Sequence, residues 1–568
     1  MGPPTPTGRG RPDFRAAALA LPGISRHRIR RSVTSRTREN PAFDDAAESS
    51  ARGLDLRAAA LREARVKRLA WVALAFTGMA ACGVFWGFDA LPFQDLPAHA
   101  GLIALRARIE SSVWEQQYFV HAPHIGPYTL FRFLGAIFAR VLGPVSAVRL
   151  LATLPLVTLP TALILARRRL HGEWSPTYGF LGIVLSFGFM TLLGFASYQL
   201  GLSVLVFTLP LWLGHAERPA GLRGEILLVG LCLLLFIAHG HAFLLFSLIV
   251  FVSVASMRAS GLRPRFVALR PVLPALALAA GVAAWERVYL VPPGAVAADP
   301  HTTTVFQSAY DKFTLLITPT LMTRSGVDFL IGVVVWLWTL LNIARMVSLV
   351  GRGAGSFAER RLLGATAVLF AAFVVLPHNI RWFGFVDGRL VPLLLLLPAL
   401  AARPNLLGST AAAIERRVAP VLTIVMVGAA LVASHRFQHE ARGWREVLGQ
   451  VPTEARLLNL PLDPNSDVFT AHPFVHYDKL VMAERPSVPS DVWFHQGSAL
   501  YPTAKNPALH LPASYIESDL KRINWPAYEL ADWDYVLVRT RPEASLDGVP
   551  AALSLVDHRG GWWLYRRL

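Results

Sequence analysis

The segment Phe93–Glu110, FQDLPAHAGLIALRARIE, follows the first long apolar stretch and crowds Asp95, His99, Arg106 and Glu110 together. At 3.6 residues per helical turn these four fall within a sector of about 60°. Leu102, Leu105 and Ile109 fall on another face. The pattern predicts an amphipathic helix at the membrane surface, its ionisable stripe turned away from lipid. Asp95 then has two readings. As local structure it is an N-cap, with Pro97 in the first turn. As chemistry it is a general base that takes a proton from an acceptor hydroxyl or amide at the water-facing edge of the bilayer. His99, one turn on, is placed to tune it.

Three more polar clusters sit among apolar runs. PHNIRWFGFVDGR (377–389) holds His378, Arg381, Asp387 and Arg389. Arginine is the fork-shaped binder of phosphate, so Arg381 and Arg389 are candidates for that contact. The alternative is that Arg389 snorkels and pairs with Asp387. FIAHGHAFLLF (236–246) places His239 and His241 at the outer end of a span pair, either as a polar turn or as the border of a cavity. HPFVHYDK (472–479) offers His472, His476 and Asp478, but Pro473 and the aromatic residues disfavour a metal-binding helix. A loop at 291–326 with Asp299, His301, Tyr310, Asp311 and Lys312 has the length to cover a site. Trp444, Trp493, Trp525, Trp533, Trp562 and Trp563 either stack on sugars or pack a core.

These groups need a scaffold, and the composition says which kind. Of 568 residues, 54% are hydrophobic and 16% charged, with mean hydropathy +0.43. An ordinary soluble chain carries about 25% charged residues. Apolar runs of membrane-spanning length point to an all-α polytopic membrane protein. Eleven spans are predicted, near 69–88, 145–166, 176–195, 200–214, 225–238, 242–256, 271–290, 327–345, 361–376, 390–402 and 418–434. With a cytoplasmic N-terminus, the Arg-rich loops fall inside, as the positive-inside rule requires. The segment 127–143 carries Arg132 and Arg140, costly in hydrocarbon, and reads as an interfacial helix within a first outer loop, 89–144.

Residues 1–68 hold 15 Lys and Arg against 7 Asp and Glu and predict a mostly disordered basic cytoplasmic arm. Its basic charge reads as a topology signal and a contact to anionic membrane lipid, with no nucleic-acid partner. Residues 69–434 form the membrane domain. Residues 435–568 are polar and read as a small periplasmic α/β domain, with DYVLVRT (534–540) as a strand and a terminal hairpin around Gly560-Gly561. Cys82 and Cys232 both lie in apolar runs and offer no disulfide framework. Arg outnumbers Lys 50 to 5, which points to a bacterium with a GC-rich genome and thus to an inner-membrane location.

The order of parts resembles the GT-C superfamily of membrane glycosyltransferases, which includes protein O-mannosyltransferases, aminoarabinose transferases and oligosaccharyltransferases. The resemblance lies in a basic start, one span, and an outer loop opening on an acid and an amphipathic helix. A Pro-led segment with VLGPVSAVRLLATLP follows, then a span closing on ARRRL, so residues 69–260 carry most of it. It implies a donor sugar on a polyprenyl phosphate and a glycan, lipid or protein acceptor. It also implies that the first-loop acid is the base, with Asp95 the best counterpart and Asp89, at the membrane exit, the second. Many relatives have two adjacent acids; here the pair is Gln94-Asp95. The second outer loop has Gln199 where oligosaccharyltransferases have an acid, so no metal or other cofactor is expected.

A metal-independent hexosyl or pentosyl transfer on the periplasmic side is the reading this supports. No P-loop or Gly-rich nucleotide fingerprint points to a nucleotide-sugar donor. A transporter or flippase would place ionisable groups at mid-membrane; here they gather at the outer interface. A non-catalytic protein of the same plan is the third possibility, kept open by the missing second acid.

Overall fold

Ten of the eleven predicted spans each overlap one helix in the computed structural model, and the eleventh, 176–195, is split between two, Pro176–Ser186 and Phe189–Leu192. The structure describes residues 41–568 except 123, 258–260, 289–290, 297–303, 319–322, 381–382, 493–498, 513, 516 and 518–519. Asp299, His301, Arg381, Trp493 and the predicted arm before residue 41 lie outside the described residues. Helix α1 spans Pro41–Trp86, so the arm predicted as disordered is helical from Pro41 on. The chain divides at Arg65 and Val66 into two units; the second, described below, holds everything that bears on function.

After α1 come α2 (Leu96–Arg108), α3 (Thr129–Leu142), α4 (Pro144–His171), α5 (Pro176–Ser186), α6 (Phe189–Leu192), α7 (Ala196–Glu217), α8 (Leu222–Ala238) and α9 (Gly240–Ala255). Helix α4 carries Pro155 and Pro160 in its interior, which a membrane helix tolerates where neighbours restore its backbone contacts. Ser186 Oγ donates to the Pro155 carbonyl at 3.1 Å. At Gly182 a Cβ would lie 2.5 Å from Pro160 Cα, so only glycine lets α5 pack this closely on α4.

Helices α10 (Leu262–Leu269), α11 (Leu273–Val288), α12 (Ala309–Ile317), α13 (Gly326–Gly351), α14 (Phe357–Val375), α15 (Val391–Ala401) and α16 (Ser409–Glu440) complete the membrane body. Among the described residues five helical segments are long and apolar enough to cross a bilayer: Ala64–Trp86, Pro144–His171, Ala196–Glu217, Gly326–Gly351 and Ser409–Glu440. The pair α10 and α11, bent by 64°, makes a sixth if it counts as one span. The others are shorter or carry more charge, so these helices make a multi-pass membrane protein without reaching the predicted eleven spans by length and composition.

The C-terminal part forms a five-stranded sheet in the order β3-β2-β5-β7-β6. Its strands are β2 (Ala455–Pro461), β3 (Ser487–Pro489), β5 (Tyr535–Arg539), β6 (Leu553–Arg559) and β7 (Trp562–Arg567). Strand β2 runs parallel to β3 and β5, whereas β7 is antiparallel to β5 and β6. The hairpin around Gly560-Gly561 is therefore present as predicted. Helices α17 (Trp444–Gly449) and α18 (Lys479–Glu484) flank the sheet.

Two expectations need correction. The α/β region belongs to the same compact unit as the membrane helices, and α16 runs past the predicted boundary at 434 to Glu440. Helix α2 does not rest its apolar face on lipid, because every residue from Leu96 to Leu105 is buried except His99, which is half-buried. Its apolar face packs on protein instead. Leu102, Leu105 and Ile109 share a cluster with Met482, Val488 and Leu500 of the C-terminal part. Strand β1 (Phe119–His121) of the first loop pairs antiparallel with β4 (Leu500–Pro502) of the C-terminal region and extends this contact. At Gly101 a Cβ would lie 2.9 Å from the Lys479 carbonyl oxygen, so α2 and α18 cross backbone to backbone.

Candidate active site

Asp95 is fixed by its backbone. The Gln94 and Asp95 N–H groups donate to the Leu192 and Leu193 carbonyls, each at 3.1 Å, which lays the segment against the end of α6. Gly194 follows with φ +85, a left-handed conformation that glycine adopts without strain. Asp95 takes the N-cap position of α2, but its carboxylate makes no capping hydrogen bond. The side chain of the predicted cap is therefore directed elsewhere, and it lines a cavity of about 330 Å³.

This cavity gathers distant parts of the chain. Gln94, Asp95, His99 and Arg106 come from the α2 region, Tyr128 and Arg132 from around the start of α3, Phe195 and Ser197 from around the start of α7. His239, Phe383, Phe385, Arg389 and His476 close it. Tyr128 and Phe385 have φ of 68° and 55°. Bulky residues in this region cost about 1–3 kcal/mol each and persist only where packing imposes them.

Three guanidinium groups face the space with Asp95. Arg389 is 5% exposed and lies over the rings of Phe383 and Phe195, at 4.0 and 4.6 Å. Its Nε and Nη1 find no hydrogen-bond partner among the described residues. Arg132 gives Nη2 to the His124 carbonyl and to Thr129 Oγ1, and its Nη1 is likewise buried without a partner. Burial and the nearby charge of Arg132 pull the Arg106 guanidinium down to about 9. His239 is buried between the rings of Tyr128 and Tyr198 and accepts the Ala242 N–H at Nδ1, so that nitrogen caps α9.

The C-terminal part supplies one wall. His476 Nε2 lies 3.6 Å from Asp95 Oδ1, and its Nδ1 lies 3.1 Å from Glu517 Oε2. Lys479 Nζ meets Glu517 Oε1 at 2.5 Å and Asp478 Oδ1 at 3.1 Å. Asn459 of β2 donates to both Asp478 and Glu517. Donor atoms of His476, Asp491 and Glu517 come within 4.8 Å of one another, a spacing a metal ion could use. The Lys479 ammonium already lies against Glu517 there, so the group is better described as an ion network with its own cation. Gln94, where a second acid was sought, accepts the His472 N–H at Oε1 and tethers the same wall.

The remaining predicted residues are placed as follows. Asp89 is exposed and faces Arg445 at 3.6 Å, outside the cavity lining. Asp387 is fully buried and does not pair with Arg389; it accepts from Lys312 Nζ at 2.8 Å and the Gly388 N–H at 2.7 Å, with His378 Nδ1 at 2.8 Å. Burial would raise its carboxyl, but the bonds from His378 and Lys312 prevail and hold it below the usual range. It ties α12 to the start of α15 and is not part of the lining. His241 sits one layer back, stacked on Phe383. Gln199 is buried in α7 and donates to Thr191 Oγ1. The cavity thus unites Asp95, His99, His239 and Arg389 of the predicted set. It adds Tyr128, Arg132 and His476, whose role no local pattern revealed; the charge of Arg132 in an apolar segment and the His in HPFVHYDK were the available signals.

No protein-family model matches the sequence, and a search of curated proteins gives no significant match. Among solved structures the chain is similar to the arabinofuranosyltransferase AftD from mycobacteria. The identity is 16% and the TM-score 0.48 over 88% of this chain, which spans only 40% of the length of AftD. It is also similar to ArnT from Cupriavidus metallidurans bound to undecaprenyl phosphate. There the identity is 12% and the TM-score 0.50, over 87% of this chain and 97% of that one. The oligosaccharyltransferase of Archaeoglobus fulgidus, in complex with Zn and sulfate, matches at 12% identity and TM-score 0.41, over 82% of this chain and 68% of that one. The nearly end-to-end match to ArnT is a likeness of fold, and the GT-C resemblance read from the sequence holds at that level.

Proposed function

We propose that the chain is a membrane glycosyltransferase that moves a hexosyl or pentosyl group from a polyprenyl-phosphate-linked donor to an acceptor. The proposed setting is the periplasmic face of a bacterial inner membrane. One observation carries the reading: Arg389 is buried in the wall of a cavity that also holds Asp95, with two N–H-bearing nitrogens unpartnered among the described residues. A buried cation without acceptors costs several kcal/mol. A phosphate at the cavity's edge supplies those acceptors in the geometry a guanidinium prefers. The ArnT structure with undecaprenyl phosphate is an example of this fold with a lipid of the proposed class.

In the proposed reaction Asp95 accepts the proton of an acceptor hydroxyl. The oxygen forms a bond to the anomeric carbon, and the bond from that carbon to the phosphate oxygen breaks. The electron pair leaves with the lipid phosphate, and Arg389 holds the charge that collects there. Attack from the face opposite the leaving group inverts the anomeric centre. Arg106 and Arg132 add positive potential, so the scheme assigns the cation's work to guanidinium groups and includes no metal. Tyr128, Phe131, Phe383 and Phe385 give the sugar ring and the first isoprene units an aromatic lining. All these residues belong to segments that the positive-inside pattern assigns to one side, away from the Arg-rich loops.

The test is sugar transfer by the purified full-length protein from a panel of short-chain polyprenyl-phosphate pentoses and hexoses, against Asp95→Asn. Transfer by the wild-type protein that Asp95→Asn lacks supports the reading. Equal transfer by both would remove Asp95 from the role of base.

A further inference from the structure

The buried ion network of the C-terminal part ends on the proposed base. His476 has a carboxylate oxygen near each ring nitrogen, Asp95 at Nε2 and Glu517 at Nδ1. A carboxylate only accepts hydrogen bonds, so the ring satisfies both neighbours when both nitrogens carry protons. All three side chains are buried. Behind them, Lys479 and Asn459 hold Glu517 Oε1, and Asp478 binds both Lys479 and Asn459. The groups around the imidazole are therefore Asp95 from the start of α2, Glu517 and Asp491 from the C-terminal loops, Asp478 and Lys479 from its own segment, and the cavity's Arg389.

A network of this kind is a poor way to gain stability, because desolvating so many charges costs about as much as their attraction returns. Its geometry instead serves orientation. Asp95 is an N-cap residue whose carboxylate makes no cap bond. With that local tether unused, His476, at an ion-pair distance of 3.6 Å, is the charged group that draws Oδ1 toward it. The crossing at Gly101 and the bond from His472 N–H to Gln94 bring the His476 segment to this place.

We propose that His476 is the positioning residue for Asp95, oriented in turn by Glu517, so that the C-terminal region completes the site. The inference rests on the reading of Asp95 as the base. His476 keeps its protons throughout: the acceptor's proton goes to Asp95 and leaves from Asp95 to water. The imidazolium sets the direction and the electrostatic surroundings of the carboxylate. Burial and Lys479 work against its charge, while Glu517 and Asp95 support it and push its pKa up to about 9.

Two measurements test this on the full-length protein. In the first, Asp95→Cys is built with Cys82 and Cys232 replaced by alanine, and alkylation by iodoacetamide is followed against pH. A cation beside position 95 lowers the midpoint, so adding His476→Gln should raise it by about one pH unit or more. An unchanged midpoint overturns the proposal, and this readout needs no substrate. In the second, His476→Gln should lower kcat by about tenfold or more with donor KM within about threefold, and Glu517→Gln should shift the alkaline limb of the kcat profile toward lower pH. Unaltered kcat and pH profile in His476→Gln, where Asp95→Asn is inactive, would overturn the positioning role and leave Asp95 as base. If no wild-type transfer occurs with any donor in the panel, the glycosyltransferase reading fails, and the thiol midpoint still decides whether His476 acts on position 95.

Discussion

Gly194 stands so close to Asp95 that a Cβ on it would lie 2.9 Å from both the Asp95 Cβ and its backbone nitrogen. The neighbour is backbone, which cannot swing aside as a long side chain can. Gly194→Ala would also force alanine into φ +85, a cost of about 1–3 kcal/mol. The expected result is a protein that still inserts and purifies but loses most transfer activity, because the proposed base is displaced. Sugar transfer measured beside a thermal melt in detergent checks this; a variant as active as wild type would mean that the segment around Asp95 tolerates the shift.

The knot at Asp387 predicts a stability effect of a different kind. Its carboxylate and Lys312 are 2.8 Å apart and both are buried. Removing Lys312 leaves the buried Asp387 carboxylate only His378 and the Gly388 N–H as partners, and the loss of its buried cation costs up to about 3–5 kcal/mol. Lys312→Met should therefore lower the melting temperature strongly. The double variant Lys312→Met with Asp387→Asn should recover part of the loss, since no charge is then left alone. Additive losses in the double variant would show that the two side chains are not coupled.

The contrast between Asp387 and Asp95 shows what the sequence made legible. Both acids sit in loops beside His and Arg, and both were read as site residues. Local spacing located the acids and each apolar stretch that became a helix. It could not tell which acid meets a lysine from another helix and which meets an open cavity. The same holds for α2: Leu102, Leu105 and Ile109 form an apolar face in either case, and periodicity does not say whether lipid or Met482, Val488 and Leu500 cover it. His476 was visible only as a possible metal ligand, because its approach to Asp95 depends on how the C-terminal sheet seats on the membrane body.

His476 also gives stability a pH dependence with a definite sign. Its pKa in the folded chain is about 9, above the 6.5 of an unhindered histidine. Folding thus favours the protonated ring. The stabilisation is fully present below pH 6.5 and is lost as pH rises from 6.5 through about 9, at about 1.4 kcal/mol per pKa unit. Melting temperatures from pH 6 to pH 10 should fall across that window in the wild-type protein. The fall should be smaller in His476→Gln. Identical slopes would assign the pH dependence to other groups.

Arg389 yields the prediction closest to substrate. The guanidinium lies over Phe383 and Phe195 and keeps two nitrogens unpartnered among the described residues, an arrangement that needs a flat, delocalised cation. A lysine ammonium keeps the charge but presents neither the plane nor the fork that grips two phosphate oxygens. Arg389→Lys is therefore expected to bind the lipid phosphate poorly despite its conserved charge, with KM for the polyprenyl-phosphate donor raised by about tenfold, a difference of about 1.4 kcal/mol. Undecaprenyl phosphate added as a competitor should inhibit the wild-type protein at lower concentration than the variant. If Arg389→Lys keeps the wild-type KM and the same sensitivity to the competitor, a point charge suffices at this position and the phosphate sits elsewhere in the cavity, with Arg132 and Arg106 as the remaining guanidinium groups to bind it.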